Sequence, residues 1–282
     1  RNPINTTTYG TGQLIEDAVK RGCKKIILGI GGSATNDAGM GAASALGVKF
    51  YDIKGHKLKG FGKDLNLISY IDTKDILPEL KDVELFIACD VENPLCGPNG
   101  AAYVYGPQKG ADKNTVDILD KGLLNFANIV KKTLNKDIRY LKGAGAAGGL
   151  GAGLLAFFDA KLVPGTDLII KAIGLEDKIK DADLVITGEG SMDNQTYYGK
   201  SAYGVAILAS KYKIPVITIN GSVNIDYSKI EENKKNLFTG NFDTVPRDMG
   251  LDEAIKNARN LLYFTAFEIA RFYFAVSKWI YF

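Results

Sequence analysis

Apolar positions come in two rhythms along the chain, and their alternation predicts the fold. Ile26, Ile27, Leu28 and Ile30 form a continuous apolar run, the pattern of a parallel strand buried on both faces. A second run over 83–90 ends on a carboxylate, Asp90. Two more, 182–187 and 214–220, end on glycine turns. Between them the spacing changes to three and four. Leu14, Ile15, Ala18 and Val19 predict a helix over 13–21, and small or apolar residues continue a helix through Met40, Ala43 and Leu46 to Gly47. Val116, Leu119, Leu123, Phe126, Ile129 and Val130 make 114–134 the clearest amphipathic helix. Further helices are expected over 166–174, 203–212 and 252–271, with an edge strand and hairpin turn at 48–55. Strands alternating with helices describe an α/β protein with parallel sheets flanked by helices. The change of rhythm near Val163-Pro164-Gly165 places a boundary after residue 162, giving domains 1–162 and 163–282.

The candidate chemistry sits where strands end. After the first strand, Gly29, Gly31 and Gly32 remove side chains where the backbone turns or a ligand approaches, and Ser33, Thr35, Asn36 and Asp37 follow at a helix start. Such a turn favours an anion at free amides, but it also serves as a plain strand-to-helix turn. It is neither a Walker A loop nor a G-x-G-x-x-G fingerprint. Asp90 opens a turn-rich loop containing Asn93, and in an open α/β sheet ligands bind beyond strand carboxyl ends. The loop Gly106 to Ala111 carries Gln108 and exposes Lys109, suited to a phosphate or carboxylate. Over 143–153 six of eleven residues are glycine, Gly148 and Gly149 among them. This segment reads as a hinge, a close-packed helix or a backbone cradle. A last glycine turn carries Glu189, Ser191, Asp193, Gln195 and Thr196, with Lys200 soon after.

Composition narrows the function. The chain has 282 residues, 46% hydrophobic and 24% charged, with a net charge of +3, which argues against nucleic acid or an anionic membrane as partner. No apolar stretch approaches the roughly 20 residues of a membrane span. Cys23, Cys89 and Cys96 are scattered, so a disulfide frame or zinc site is not expected and a reducing cytoplasm is the default location. The one histidine, His56, has no nucleophile beside it, which removes Ser-His-Asp and Cys-His chemistry. Carboxylates, glycine amides and lysines at strand ends are what phosphoryl transfer requires.

The strings GIGGSATNDAG, ACDVENPLCGPNGA, GPQKGA, GAGAAGGLGAG and DLVITGEGSMDNQT, in this order, resemble the glycerate kinase type 1 family, as does the opening RNPINTTTYGTGQLI. The resemblance implies two α/β domains: a Rossmann-like one, to which 163–282 would contribute the carboxyl-terminal part, and an inserted one, 1–162. It implies ATP- and Mg2+-dependent phosphorylation of D-glycerate; beside it, the cysteine usage points to a cytoplasmic enzyme, and a homodimer is the expected assembly. Carried over, Asp193, Asp90 and Lys200 become catalytic candidates. Gly31, Gly32, Ser33, Thr35, Asn36, Asp37, Asn93, Gln108, Lys109, Gly148, Gly149, Glu189, Ser191, Gln195 and Thr196 become binding candidates, and Asp37 and Glu189 metal ligands. The strand-end loops are expected to converge on one cleft. Relatives are expected to carry a further amino-terminal segment with P-D-S-F-K and D-G-G-E-G motifs, which would leave this chain a truncated and impaired kinase. The alternatives are a non-catalytic binding remnant of the fold, or a kinase for another small hydroxy acid. The aromatic stretch 272–282 departs from the family pattern.

Overall fold

The computed structural model describes residues 2–199, 201–246 and 248–277. The chain divides into two compact units, Arg1–Leu168 and Ile169–Phe282, both α/β. The division falls a few residues beyond the expected cut at 162. The reason is physical: Lys161–Val163 is a strand paired inside the first unit, and the Asp90 carboxylate accepts a hydrogen bond from the Gly165 amide at 2.8 Å.

In the first unit, α1 (Tyr9–Lys20) leads into β1 (Lys25–Gly29), α2 (Met40–Ala45), β2 (Lys49–Tyr51), β3 (Tyr70–Asp72) and β4 (Glu84–Ala88). Then follow α3 (Ala101–Tyr105), α4 (Lys113–Leu134), α5 (Ala146–Phe158), β5 (Lys161–Val163) and the start of α6 (Gly165–Ala172). The strands β1, β4 and β5 form a parallel sheet in the order β1-β4-β5, with Ile27 opposite Phe86 and Phe86 opposite Lys161. β2 and β3 pair antiparallel.

The expectation that β1 is buried on both faces does not hold within this unit. Ile26, Leu28, Leu85, Ile87 and Leu162 pack against Ile15 and Val19 of α1 and Leu150 and Leu154 of α5. The opposite face carries Ile27, 38% exposed, and Phe86, over whose ring the Lys25 and Lys161 ammonium groups lie at 5.0 and 5.5 Å. Two lysine stems thus shield what a run of isoleucines alone would leave bare.

The helix α4 begins where Asp112 accepts from the Thr115 amide at 2.8 Å and ends at Asn135 in the left-handed region. Its stripe of Val116, Leu119, Leu123, Phe126 and Val130 is buried against Phe50, Leu65 and Ile68. Each such side chain contributes about 1.5–3 kcal/mol by leaving water.

The second unit contains α7 (Leu175–Ile179), β6 (Val185–Thr187), β7 (Ser191–Asp193), α8 (Ser201–Ser210), β8 (Val216–Asn220), β9 (Ser222–Asn224), α9 (Glu232–Lys235), β10 (Gly240–Asp243) and α10 (Leu251–Ser277). The sheet order is β10-β8-β6, all parallel, and β7 pairs parallel with β9. Met192, Tyr197, Ala206, Val216 and Phe238 form its core, with Tyr197 and Phe238 edge to face at 5.3 Å. Of the aromatic stretch, Phe272 and Phe274 are exposed on α10, and 278–282 lie outside the described residues. Among the described residues no helix is long and apolar enough to cross a membrane.

Candidate functional site

Beyond the carboxyl ends of β1 and β4, the first unit opens a cleft of about 610 Å³. Its lining joins Ile30 to Ala34 after β1, Ala88 to Val91 after β4, Tyr105, Gln108 and Lys109 around the end of α3, and Ala146 and Ala147 at the start of α5. This is the place where parallel α/β sheets hold ligands. Of the residues singled out from sequence, the cleft brings together Gly31, Gly32, Ser33, Asp90, Gln108 and Lys109.

Gly31 has open space where a side chain would be, and Gly32 sits at φ +68, a conformation that suits glycine. The strand therefore ends without closing its own mouth. Asp90 is exposed and spans from the cleft to the Gly165 amide.

Lys109 is placed differently from the expected loop surface. It is 4% exposed, and its Nζ donates to Thr35 O at 2.6 Å and to Ser33 Oγ at 3.3 Å. Burial pulls its pKa down to about 8, with the Asp37 charge pulling the other way.

Asp37, expected to hold a metal, is fully buried. Its Oδ2 accepts from the Thr8 amide at 2.7 Å, the Thr8 hydroxyl at 2.8 Å and the Gly41 amide at 3.2 Å, and its Oδ1 accepts from the Gly39 amide at 3.0 Å. Burial pushes its carboxyl above the usual range while these donors hold it back. Both oxygens are committed to the chain, so Asp37 is a structural hub joining the opening loop to α2, and it does not fit a metal.

The expected cradle at Gly148 and Gly149 is also corrected. Ala147, Gly148 and Gly149 are all left-handed, and a Cβ on Gly148 would lie 2.1 Å from Thr35 O. A Cβ on Gly149 would lie 2.8 Å from Ala38 Cα. These glycines admit neighbouring backbone, and the Ala38 amide donates to Gly148 O at 3.0 Å. Ala147, a non-glycine residue at φ 52 on the cleft wall, is the strained member. Asn36 is buried away from the cleft lining, with neither amide atom hydrogen-bonded. Asn93 donates to Asn99 O and accepts from the Tyr105 hydroxyl at 2.6 Å, so it orients a cleft wall without lining it.

The remaining candidates belong to the second unit, on the turn after β6. The Glu189 amide donates to Asn220 Oδ1 at 3.0 Å, and the Gly221 amide donates to Glu189 O, tying the turn to the end of β8. Glu189 Oε2 accepts from the Thr196 hydroxyl at 3.0 Å. Asp193 Oδ1 accepts from the Gln195 amide and starts the helical turn 194–198. The Ser222 hydroxyl donates to Ser191 Oγ at 3.0 Å. Lys200 lies outside the described residues. Among the described residues no three Asp, Glu, His or Cys side chains group to hold a metal. A Mg2+ carried in on phosphates needs only one or two protein carboxylates, and of the two expected metal ligands Glu189, whose Oε2 accepts from the Thr196 hydroxyl, is the one left after Asp37.

Sequence reasoning did not single out Thr8, Tyr105 and Asn220. Asn220 was findable, since it ends an apolar strand as Asp90 does. Thr8 and Tyr105 act through partners distant in sequence, for which no local signal exists.

The model of the glycerate kinase family matches residues 1–274. The chain belongs to that family of phosphotransferases. A glycerate kinase of Halalkalibacterium halodurans is 50% identical over 99% of this chain and 72% of its own length. A glycerate 2-kinase of Escherichia coli is 44% identical over 92% of this chain and 67% of its own. A solved glycerate kinase 2 structure from Salmonella typhimurium LT2 superposes with a TM-score of 0.86 at 40% identity, covering 99% of this chain and 72% of that one.

Proposed function

We propose that this chain transfers the γ-phosphoryl group of ATP, with Mg2+, to a hydroxyl of D-glycerate. The observation that carries the reading is the strand-end cleft of the first unit, with Asp90 at its edge and the open Gly31-Gly32 turn as its floor. Phosphoryl transfer asks little covalent chemistry of a protein: it needs the acceptor hydroxyl oriented and the phosphate charge neutralised. In this reading Asp90 accepts the hydroxyl hydrogen bond of the acid and holds it for attack. Taken by itself, the glycine turn after β6 in the second unit carries Glu189, a carboxylate suited to a Mg2+ that arrives on phosphates, and Asp193 and Thr196 keep that turn in shape. The free thiols of Cys23, Cys89 and Cys96 are in keeping with a cytoplasmic location. A homodimer is the proposed assembly, to be measured by sedimentation velocity.

The test is ADP release by the purified chain with D-glycerate, ATP and Mg2+. Asp90→Asn keeps an acceptor for the Gly165 amide and removes the charge, so it is expected to lower kcat about 100-fold or more with an unchanged melting temperature. Turnover within a few-fold of the parent would remove Asp90 from the chemistry.

A further inference from the structure

The charges of the cleft are few. Among the described residues that line it, Lys109 is the one cation and Asp90 the one carboxylate. Lys109 is buried, yet both groups that receive its protons are neutral, the Thr35 carbonyl and the Ser33 hydroxyl; among the described residues no carboxylate stands within ion-pair distance of it, and the Asp37 charge acts on it from farther away. An ammonium has three donors, and a buried charge with no counter-charge in contact is costly. The site is built to receive an anion.

Which anion follows from charge and size. A nucleotide triphosphate brings several negative charges, which one lysine does not balance and which Asp90 would oppose. A small monocarboxylate brings one. Much of the wall is small residues, Gly31, Gly32, Ala34, Ala88, Ala146 and Ala147, beside the larger Ile30, Val91 and Gln108, with Tyr105 as the one aromatic side chain. They frame a short polar molecule better than a purine. A hydroxy acid presents a carboxylate at one end and a hydroxyl at the other, and the cleft presents one cation and one carboxylate. We propose that Lys109, seated by Thr35 O and Ser33 Oγ, receives the carboxylate of the acid substrate, making this cleft the acid half-site and the selector of an acid over a neutral polyol. The inference rests on the phosphotransfer reading above and assigns its acceptor pocket.

The test is calorimetric titration of D-glycerate, glyceramide and ATP with Mg2+ into the unaltered chain and into Lys109→Met and Lys109→Arg variants. Met nearly conserves the volume of the lysine stem. Lys109→Met is expected to weaken D-glycerate about 30- to 100-fold, in line with the loss of a charged hydrogen bond. ATP should stay within twofold, glyceramide should bind both chains alike, and Lys109→Arg should recover part of the glycerate affinity. Unchanged glycerate binding by Lys109→Met, or a loss confined to ATP, overturns the assignment. Should Lys109→Met fail to fold, the unaltered chain decides alone: it is expected to prefer D-glycerate over glyceramide by at least about tenfold, and equal affinity overturns the proposal. Because binding is read without turnover, a chain that binds glycerate through Lys109 but releases no ADP keeps this inference and loses the kinase reading. Turnover with a glycerate KM indifferent to Lys109 does the reverse.

Discussion

The two glycine-rich segments of the first unit look alike in sequence and do opposite work. After β1, Gly31 and Gly32 have no atom within 4 Å of where a Cβ would stand. At the start of α5, the same test on Gly148, Gly149 and Gly153 meets neighbouring backbone at 2.1, 2.8 and 2.3 Å. One segment leaves room for a ligand, and the other leaves room for the protein. The second is what gives the first its chemistry, because the Thr35 carbonyl that Gly148 lets in is the one that seats Lys109.

The largest expected effect comes from closing the packed segment. Gly148→Ala drives a methyl into Thr35 O at a positive φ, and it should destabilise the chain by about 3 kcal/mol or more, read as a lower denaturant midpoint. It should also weaken D-glycerate through the displaced lysine. Retained stability would mean that the two segments are not different in kind.

A smaller loss is expected from Asp37→Asn. Whichever way the amide is turned, an N–H then faces a donor among Thr8, Gly39 and Gly41, and thermal or chemical unfolding should show about 1–3 kcal/mol. Activity per folded molecule should persist, which a metal ligand would not allow.

The pH dependence sharpens the comparison from the ligand side. With the pKa of Lys109 lowered to about 8, the free cleft loses its cation as pH rises through that value. The KM for D-glycerate should climb above it, while that of Lys109→Met stays flat. The other titrating groups at the cleft are Asp90, Cys89 and Tyr105, with Asp37 nearby; burial raises the pKa of Cys89 and of Tyr105, placing their ionisation higher. Stability moves the opposite way to affinity. Between about 8 and the ordinary lysine value the unfolded chain binds more protons at this position, so the parent should gain stability relative to Lys109→Met as pH rises.

The smallest effect belongs to the open segment. Gly31→Ala should leave the unfolding midpoint within about 0.5 kcal/mol of the parent, and it should lower turnover by narrowing the cleft. A large stability loss there would erase the contrast with Gly148.

Much of the scaffold was legible. The stripe from Val116 to Val130 gave α4 nearly to its ends, and the apolar runs gave β1, β4, β6 and β8, because side chains three or four apart on a helix and runs along a strand are local records of burial. The strand-end rule pointed to Gly31, Asp90 and Glu189 for the same reason: the end of a run is visible in the run. What misled was side-chain chemistry taken without surroundings. Asp37 was read as a metal ligand because a carboxylate in a glycine turn suits one, whereas its four donors come from Thr8, Gly39 and Gly41. Lys109 was read as exposed because it stands between glycines in a loop, whereas the chain around Ser33 folds over it.

The order of amino acids by itself determined the α/β elements, the places where strands empty into turns, and the family, since periodicity and motif strings need nothing beyond neighbours along the chain. Only the tertiary structure decided which glycines face a ligand and which face backbone, and whether a carboxylate or lysine is free to act. The atoms that fill or leave the space beside each residue belong to segments far away in the chain, as Thr35 is from Gly148.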